Sequence, residues 1–210
     1  MDDTSYIHTL IEQGEHVEQD FKYEISDARK IARTLSAFAN TQGGRLLIGV
    51  KDNGRIAGVR SDEEAYMIEA AARLYCYPEV SVVMQPYRVE GRTVLVAQIS
   101  PSSCKPVMAI DENGRKWAYV RIADENILAT PVHLQLWRQL NDGVPANFSF
   151  RQREHDLLNF ISQEEECSIS QVCRKAGVTR REACDLLARF VRWGLLAMRY
   201  NGSQFVYRLI

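Results

Sequence analysis

The stretch that decides the fold of this 210-residue chain is LSAFANTQGGRLLIGVKDNG, residues 35–54. Its first part continues a helical pattern, because Ile31, Leu35 and Phe38 recur at the spacing of one helix face. The pair Gly43-Gly44 predicts the end of this helix, since glycine readily takes the left-handed conformation found at helix ends.

The second part of the stretch predicts a strand and a turn. Residues 45–50 are a short apolar run typical of a buried strand. The sequence Asp52-Asn53-Gly54 predicts a hairpin turn, and residues 55–59 would form the return strand. Acidic residues therefore stand on both sides of the predicted helix and strand, and this order can gather Glu15, Asp20 and Asp52 at one edge of a sheet.

Further elements extend outward from this stretch. Alternation and helical spacing predict strands at 17–23, 79–89, 92–99, 107–110 and 116–122, and helices at 4–13 and 61–74. Residues 1–130 are therefore expected to form an α+β domain with a mostly antiparallel sheet.

The rest of the chain follows a different pattern. Pro131 predicts a connecting helix to about residue 140, and a linker completes the segment 131–148. Residues 149–210 are typical of a small C-terminal winged-helix domain, with three helices and a hairpin across Asn201-Gly202. Ser168 or Ser170 would begin the second helix, and Thr179 would cap the third.

Composition limits the classes of function. The formal net charge is −1, so attraction to nucleic acid must come from a local patch. Residues 149–210 carry ten Lys and Arg against seven Asp and Glu, which makes this segment the candidate. The five cysteines form no CxxC pair, which indicates reduced thiols in a cytoplasmic protein, and no apolar run reaches membrane-spanning length.

Three segments resemble a known family. The element Asp20-Phe21-Lys22, the run AFANTQGG at 37–44 and the run LIGVKDNG at 47–54 are similar to the Schlafen/AlbA-like domain, which is often labelled a DNA-binding or divergent ATPase domain. The strand WAYVR at 117–121 fits the one that commonly closes that domain. The resemblance covers roughly the first 130 residues and implies nucleic-acid binding, often beside a helix-turn-helix module.

The resemblance also implies a possible catalytic site. Some Schlafens are ribonucleases that use three carboxylates, and these positions correspond to Glu15, Asp20 and Asp52. Such carboxylates could hold Mg²⁺ or Mn²⁺, while Lys22 steadies a phosphate. The chain departs from the family pattern at Asp20, which is usually Glu, and at Lys51-Asp52, where the family usually has two acids.

Simpler roles for the same residues stay open. Glu15 and Asp20 could pair with Lys22 or Arg45, and Lys51 could pair with Asp52. Asn40 and Thr41 could satisfy the helix end by hydrogen bonds. ATP hydrolysis is not expected, because the P-loop pattern of glycines, lysine and Ser/Thr is absent.

The basic residues of the last segment are candidates for contact with nucleic acid. Four lie on its third predicted helix and one on the hairpin: Arg180, Arg181, Arg189, Arg192 and Arg199. The leading hypothesis is a nucleic-acid-binding protein, a transcriptional regulator that binds DNA in preference to RNA as a homodimer. The alternatives are a metal-dependent endoribonuclease acting on structured RNA such as tRNA, and a non-catalytic protein-interaction or nucleotide-binding module.

Overall fold

A computed structural model describes residues 2–143 and 152–210. The chain divides into two units, Met1–Leu128 and Ala129–Ile210. Residues 144–148 of the predicted linker and residues 149–151 of the predicted winged helix lie outside the described residues.

The first unit contains three helices and eight strands among its described residues. They are α1 (Asp3–Glu12), β1 (Gln19–Lys22), α2 (Ala28–Asn40), β2 (Gly44–Ile48), α3 (Glu63–Leu74), β3 (Cys76–Tyr77), β4 (Val82–Val89), β5 (Arg92–Ile99), β6 (Met108–Ile110), β7 (Lys116–Ile122) and β8 (Glu125–Leu128).

These strands form two sheets. The first has the order β1-β2-β5-β4, in which β1 and β2 are parallel and the other neighbours are antiparallel. The second has the order β3-β6-β7-β8 and is antiparallel throughout. The expectation of an α+β fold with a mostly antiparallel sheet is confirmed, and the parallel pair exists because α2 carries the chain across between β1 and β2.

Helix α2 is the most buried helix of this unit. Leu35, Phe38 and Ala39 pack in the main core with Leu46 of β2 and Ala97 of β5. The helix ends at Asn40, and the amide of Gly43, which has a φ of +81°, donates to the carbonyl of Phe38 at 2.9 Å. The predicted role of the glycine pair as a helix stop is therefore confirmed.

Asn40 has a different role from the one expected. It does not satisfy the end of its own helix but joins α2 to the second sheet. Its Nδ2 donates to the carbonyls of Val107 at 2.8 Å and Tyr119 at 2.9 Å, and its Oδ1 accepts from the amide of Val107 at 2.7 Å. Thr41 does act at the helix end, where its hydroxyl donates to the carbonyl of Ala37.

The predicted return strand at 55–59 is wrong. The turn forms, with the amide of Gly54 donating to the carbonyl of Lys51 at 2.8 Å, but pairing stops at one bridge between Val50 and Ile56. Gly49 has a φ of +90°, and its carbonyl accepts from the amides at 57 and 58, so the backbone leaves the strand direction there.

The second unit contains four helices and two strands among its described residues. They are α4 (Pro131–Asn141), α5 (Gln152–Gln163), α6 (Ile169–Ala176), α7 (Arg180–Arg192), β9 (Leu196–Tyr200) and β10 (Phe205–Leu209). The two strands pair antiparallel, and one bridge joins Cys167 to Tyr207. Ser168 caps α6, and Thr179 forms a capping box with Glu182 at α7, as the sequence predicted.

Helix α4, predicted as a connector, packs along α7 within this unit. Gln135 and Gln139 both donate from Nε2 to Oδ1 of Asp185, at 2.9 and 3.1 Å. His133 is buried in the capping box of Thr130, and burial lowers its pKa to about 4. None of the helices in the described ranges combines the length and the apolar composition that crossing a membrane requires.

Candidate functional site

Two of the three predicted carboxylates meet beside strand β1. Glu15 follows α1, and its Oε1 accepts from the amide of Phe21 at 2.8 Å. Its carboxyl group also shares a hydrogen bond with Asp20. Burial and this hydrogen bond raise the pKa of Glu15.

Asp20 is nearly buried and already neutralised. Its Oδ1 accepts from Nη2 of Arg121 at 3.1 Å, and its Oδ2 lies 2.6 Å from Nζ of Lys22. Burial acts to raise the pKa of Asp20, but the hydrogen bond with Glu15 and the charges of Lys22 and Arg121 outweigh it and lower that pKa. Asp20 is therefore the ionised partner in a buried ion pair.

Arg121 organises the surroundings of this pair. Its side chain is only 1% exposed, and its guanidinium donates to Oδ1 of Asn126 at 3.0 Å and to the carbonyl of Gln19 at 3.3 Å. Asn126 donates in turn to the hydroxyl of Thr34 on α2 at 2.9 Å. The sequence analysis did not identify Arg121 as a site residue. The available signal was a charged residue in the strand WAYVR, in which core residues otherwise alternate.

The third predicted carboxylate does not join the pair. Asp52 is exposed in the turn after β2. Among residues 2–143 and 152–210, no group of three or more His, Cys, Asp or Glu side chains is arranged to hold a metal ion. The predicted metal site of Glu15, Asp20 and Asp52 is therefore not formed here. The oxygens of Asp20 face cationic side chains, which is a poor donor set for Mg²⁺ or Mn²⁺.

The nearby lysines and arginine have specific partners. Lys22 contacts Asp20, as the simpler interpretation proposed. Lys51 does not pair with Asp52, and its ammonium lies 4.9 Å from the centre of the Tyr23 ring. Arg45 donates to Gln19 and Gln13 rather than to a carboxylate.

The candidate arginines of the second unit fall into two groups. Arg180 and Arg181 are exposed in the first turn of α7, and within the described ranges neither makes an ion pair. Arg189 lies half-buried further along the helix, where it donates to Glu154 at 2.8 Å and Asp185 at 2.6 Å. Its charge is therefore neutralised by carboxylates of the same unit.

The remaining two candidate arginines are also less available for contact with a phosphate than the sequence indicated. Arg192 is partly buried at the end of α7. Arg199 on β9 lies 3.5 Å from Glu166, beside the acidic run Glu164-Glu165-Glu166. These carboxylates oppose an approaching phosphate, so the hairpin side of the unit is a weak position for binding an anion.

Exposed cations not singled out by the sequence lie at the junction of α6 and α7. Arg174 and Lys175 occupy the last turn of α6, which a three-residue turn separates from Arg180. Arg153 of α5 lines one depression with Lys175 and another with Arg181. We call this set the α6–α7 basic surface, and it consists of Arg153, Arg174, Lys175, Arg180 and Arg181.

Comparison with models of known protein families gives a match. The family model described as Schlafen, AlbA_2 matches residues 15–130, which is more than half of the chain. A comparison with curated proteins finds no matching relative.

Two solved structures are similar. One is the DIP2311 protein from Corynebacterium diphtheriae, with 20% identity and a TM-score of 0.48, and the match covers 84% of this chain and 32% of that one. The chain thus spans about a third of that protein. The other is the N-terminal domain of a RecG-related protein from Nitrosomonas europaea, with 23% identity, a TM-score of 0.45 and coverage of 58% and 88%. From the family match over residues 15–130, the chain belongs to the Schlafen, AlbA_2 family.

Proposed function

We propose that this protein binds nucleic acid, that its second unit is a winged helix, and that duplex DNA is contacted through the α6–α7 basic surface. The observation that carries the proposal is the position of five exposed cations around the junction of two helices. The order of three helices and a hairpin supports the winged-helix assignment. We further propose a role as a transcriptional regulator, for which this binding would be a requirement.

The local charge favours a polyanion. The acidic groups that line the same depressions are Asp142, Glu154, Asp156, Glu182 and Asp185. Glu154 and Asp185 are paired with Arg189, and Asp142 with Arg138. Glu182 is engaged in the capping box, where hydrogen bonds from Thr179 lower its pKa. The remaining positive excess would neutralise phosphates and release their counterions.

The geometry of α7 limits how this surface can be used. After Glu182, every residue of the helix is buried or partly buried, and Asp185 is held by α4. Contact with DNA should therefore be made by the first turn of α7 and its neighbours on α5 and α6, rather than by the length of the helix. Most contacts of this kind reach phosphate and not base edges.

A gel-shift experiment with pooled duplex genomic fragments tests the proposal. We expect the wild-type chain to retard the fragments and the variant Arg180→Ala/Arg181→Ala to lose most of this retardation. The matched control is Lys30→Ala/Arg33→Ala, which removes the same charge from exposed positions of α2. Equal loss in both variants would show a nonspecific charge effect, and no binding by the wild type would leave the protein-interaction alternative.

The endoribonuclease alternative stays a prediction. The Glu15–Asp20 pair is its one supporting observation, since paired carboxyl groups with displaced pKa values are common in active sites. The ion pairs of Asp20 count against it. Incubation of tRNA and Mn²⁺ with wild type, Glu15→Gln and Asp52→Ala tests it, and cleavage that both substitutions abolish would restore the three-carboxylate site.

A further inference from the structure

We propose that the first unit carries a separate site for an unpaired nucleotide, in which the ring of Tyr23 stacks against a base while Lys51 and Arg60 contact the adjoining phosphates. The three residues lie just beyond β1 and β2 or in the segment that follows them. Because β1 and β2 are parallel and in register, their carboxyl ends meet at one edge of the sheet, which brings the segments that carry these residues together. This inference deepens the proposed nucleic-acid function but concerns a different surface.

Tyr23 is held in place and still accessible. Its side chain is 38% exposed, and its hydroxyl accepts from Nη2 of Arg60 at 2.7 Å. The ammonium of Lys51 lies 4.9 Å from the ring centre, and the guanidinium carbon of Arg60 lies 5.7 Å from it. The ring is therefore oriented before any ligand arrives, which reduces the conformational cost of binding.

The chemistry of this cluster matches one class of ligand. Aromatic rings stack with bases of any sequence, and adjacent cations neutralise the backbone that links them. A base in a duplex is already stacked and cannot use the Tyr23 ring, so the site selects unpaired nucleotides. RNA and DNA share this chemistry.

Counter-charges near the cluster do not prevent such binding. Glu24 is 3.6 Å from Arg60, and both side chains are largely exposed. Exposed pairs of this kind contribute little, so a phosphate can replace the carboxylate. Tyr66 provides a comparison, because it is an exposed tyrosine of the same unit for which no cationic partner is found among the described residues.

Fluorescence anisotropy of the full chain with labelled 12-nucleotide single strands tests the inference, with separate RNA and DNA arms of the same sequence. We expect binding in at least one arm, a loss of about tenfold in affinity for Tyr23→Ala, and near wild-type affinity for Tyr23→Phe. Tyr66→Ala is the control and should bind like wild type. Lys51→Ala should reduce the dependence of affinity on salt.

The outcomes separate this site from the basic surface of the second unit. Arg180→Ala/Arg181→Ala should retain the Tyr23-dependent part of single-strand binding even if duplex binding is lost. Absence of single-strand binding in both arms, or equal affinity of Tyr23→Ala and wild type, would overturn the inference. Circular dichroism of each variant identifies any loss of folding, and the Tyr23→Phe variant then still reports on stacking.

Discussion

At the scale of single residues, the Asp20–Arg121 pair explains why an acid and an arginine occur in the core of the first unit. Two buried charges are tolerable only when each has a partner, and here Lys22 and Asn126 complete the set. The same contacts that stabilise the pair occupy the oxygens that catalysis would need. The site is thus better suited to holding β1, β7 and β8 together than to activating water.

Replacement of Asp20 by Asn should destabilise the first unit. The substitution leaves the guanidinium of Arg121 buried without its carboxylate, and the expected cost is about 3 kcal/mol in the free energy of unfolding. Urea denaturation measures it, with the exposed Asp52→Asn as control, for which a change within about 0.5 kcal/mol is expected. Equal stability of the two variants would contradict the structural role of the pair.

His133 should make the second unit sensitive to acid. Its folded pKa of about 4 lies below the unfolded value of about 6.5, so the unfolded chain takes up a proton first. The stability that neutral His133 contributes is complete above about pH 6.5 and is lost as the pH falls towards 4. At pH 5 the loss of stability amounts to about 2 kcal/mol.

Trp137, whose ring centre lies 5.7 Å from that of His133, offers a fluorescence signal for unfolding at pH 7 and pH 5. The variant His133→Gln can keep a hydrogen bond in the capping box but has no titrating group, so it should show a smaller loss on acidification. An identical loss in wild type and variant would assign the pH effect to other groups.

At the scale of elements, α2 joins the two sheets of the first unit, and the motif that marks the family lies at its end. The Asn40→Ala substitution leaves the amide of Val107 and the carbonyl of Tyr119 without their partner. We expect a loss of about 2–4 kcal/mol in stability. Amide hydrogen exchange should accelerate in β6 and β7 but not after the exposed Gln42→Ala change, and unaltered exchange would contradict this role.

Helix α7 carries two kinds of arginine, one paired within the unit and one exposed. Replacing Arg189 by Ala removes a partner of the buried Glu154, so we expect a loss of about 1–3 kcal/mol in stability. Replacing Arg180 and Arg181 should leave thermal unfolding nearly unchanged, because both side chains are exposed. The opposite ranking in a thermal denaturation experiment would show that the two groups had been assigned incorrectly.

Most elements could be predicted from the sequence, because helix periodicity, capping boxes and glycine stops are local signals. The strand Arg92–Ile99 and the capping box of Thr179 have the predicted positions. Strand β3 was missed because two residues are too few to show alternation, and β8 was missed because its sequence, Glu-Asn-Ile-Leu, does not alternate polar and apolar residues. The prediction of a return strand at 55–59 was wrong because hydrogen bonds from backbone amides to the carbonyl of Gly49 set the conformation of that segment. No side-chain pattern in the sequence indicates these bonds.

The site was less predictable than the fold. Glu15 and Asp20 were placed together correctly, but the partner that neutralises Asp20 lies 101 positions away in the sequence. The same holds for Arg189, whose charge is taken up by Glu154 from another helix. Charge neutralisation depends on tertiary contacts, and a single sequence does not show them.

At the scale of the whole molecule, the two units carry different candidate surfaces. The first offers an aromatic ring beside two cations, and the second offers the α6–α7 basic surface. A homodimer stays a prediction, and light scattering of the purified chain over a range of concentrations measures its mass. A second copy would double both surfaces and allow binding to paired half-sites.

The measurement that tests the central claim most directly is the salt dependence of duplex DNA affinity. Fluorescence anisotropy between 50 and about 200 mM salt gives the slope of log affinity against log salt concentration for wild type and for Arg180→Ala/Arg181→Ala. Loss of two phosphate contacts should make this slope shallower by roughly 2, while Lys30→Ala/Arg33→Ala keeps the wild-type slope. A slope that is the same in all three proteins would contradict nucleic-acid binding through the α6–α7 basic surface.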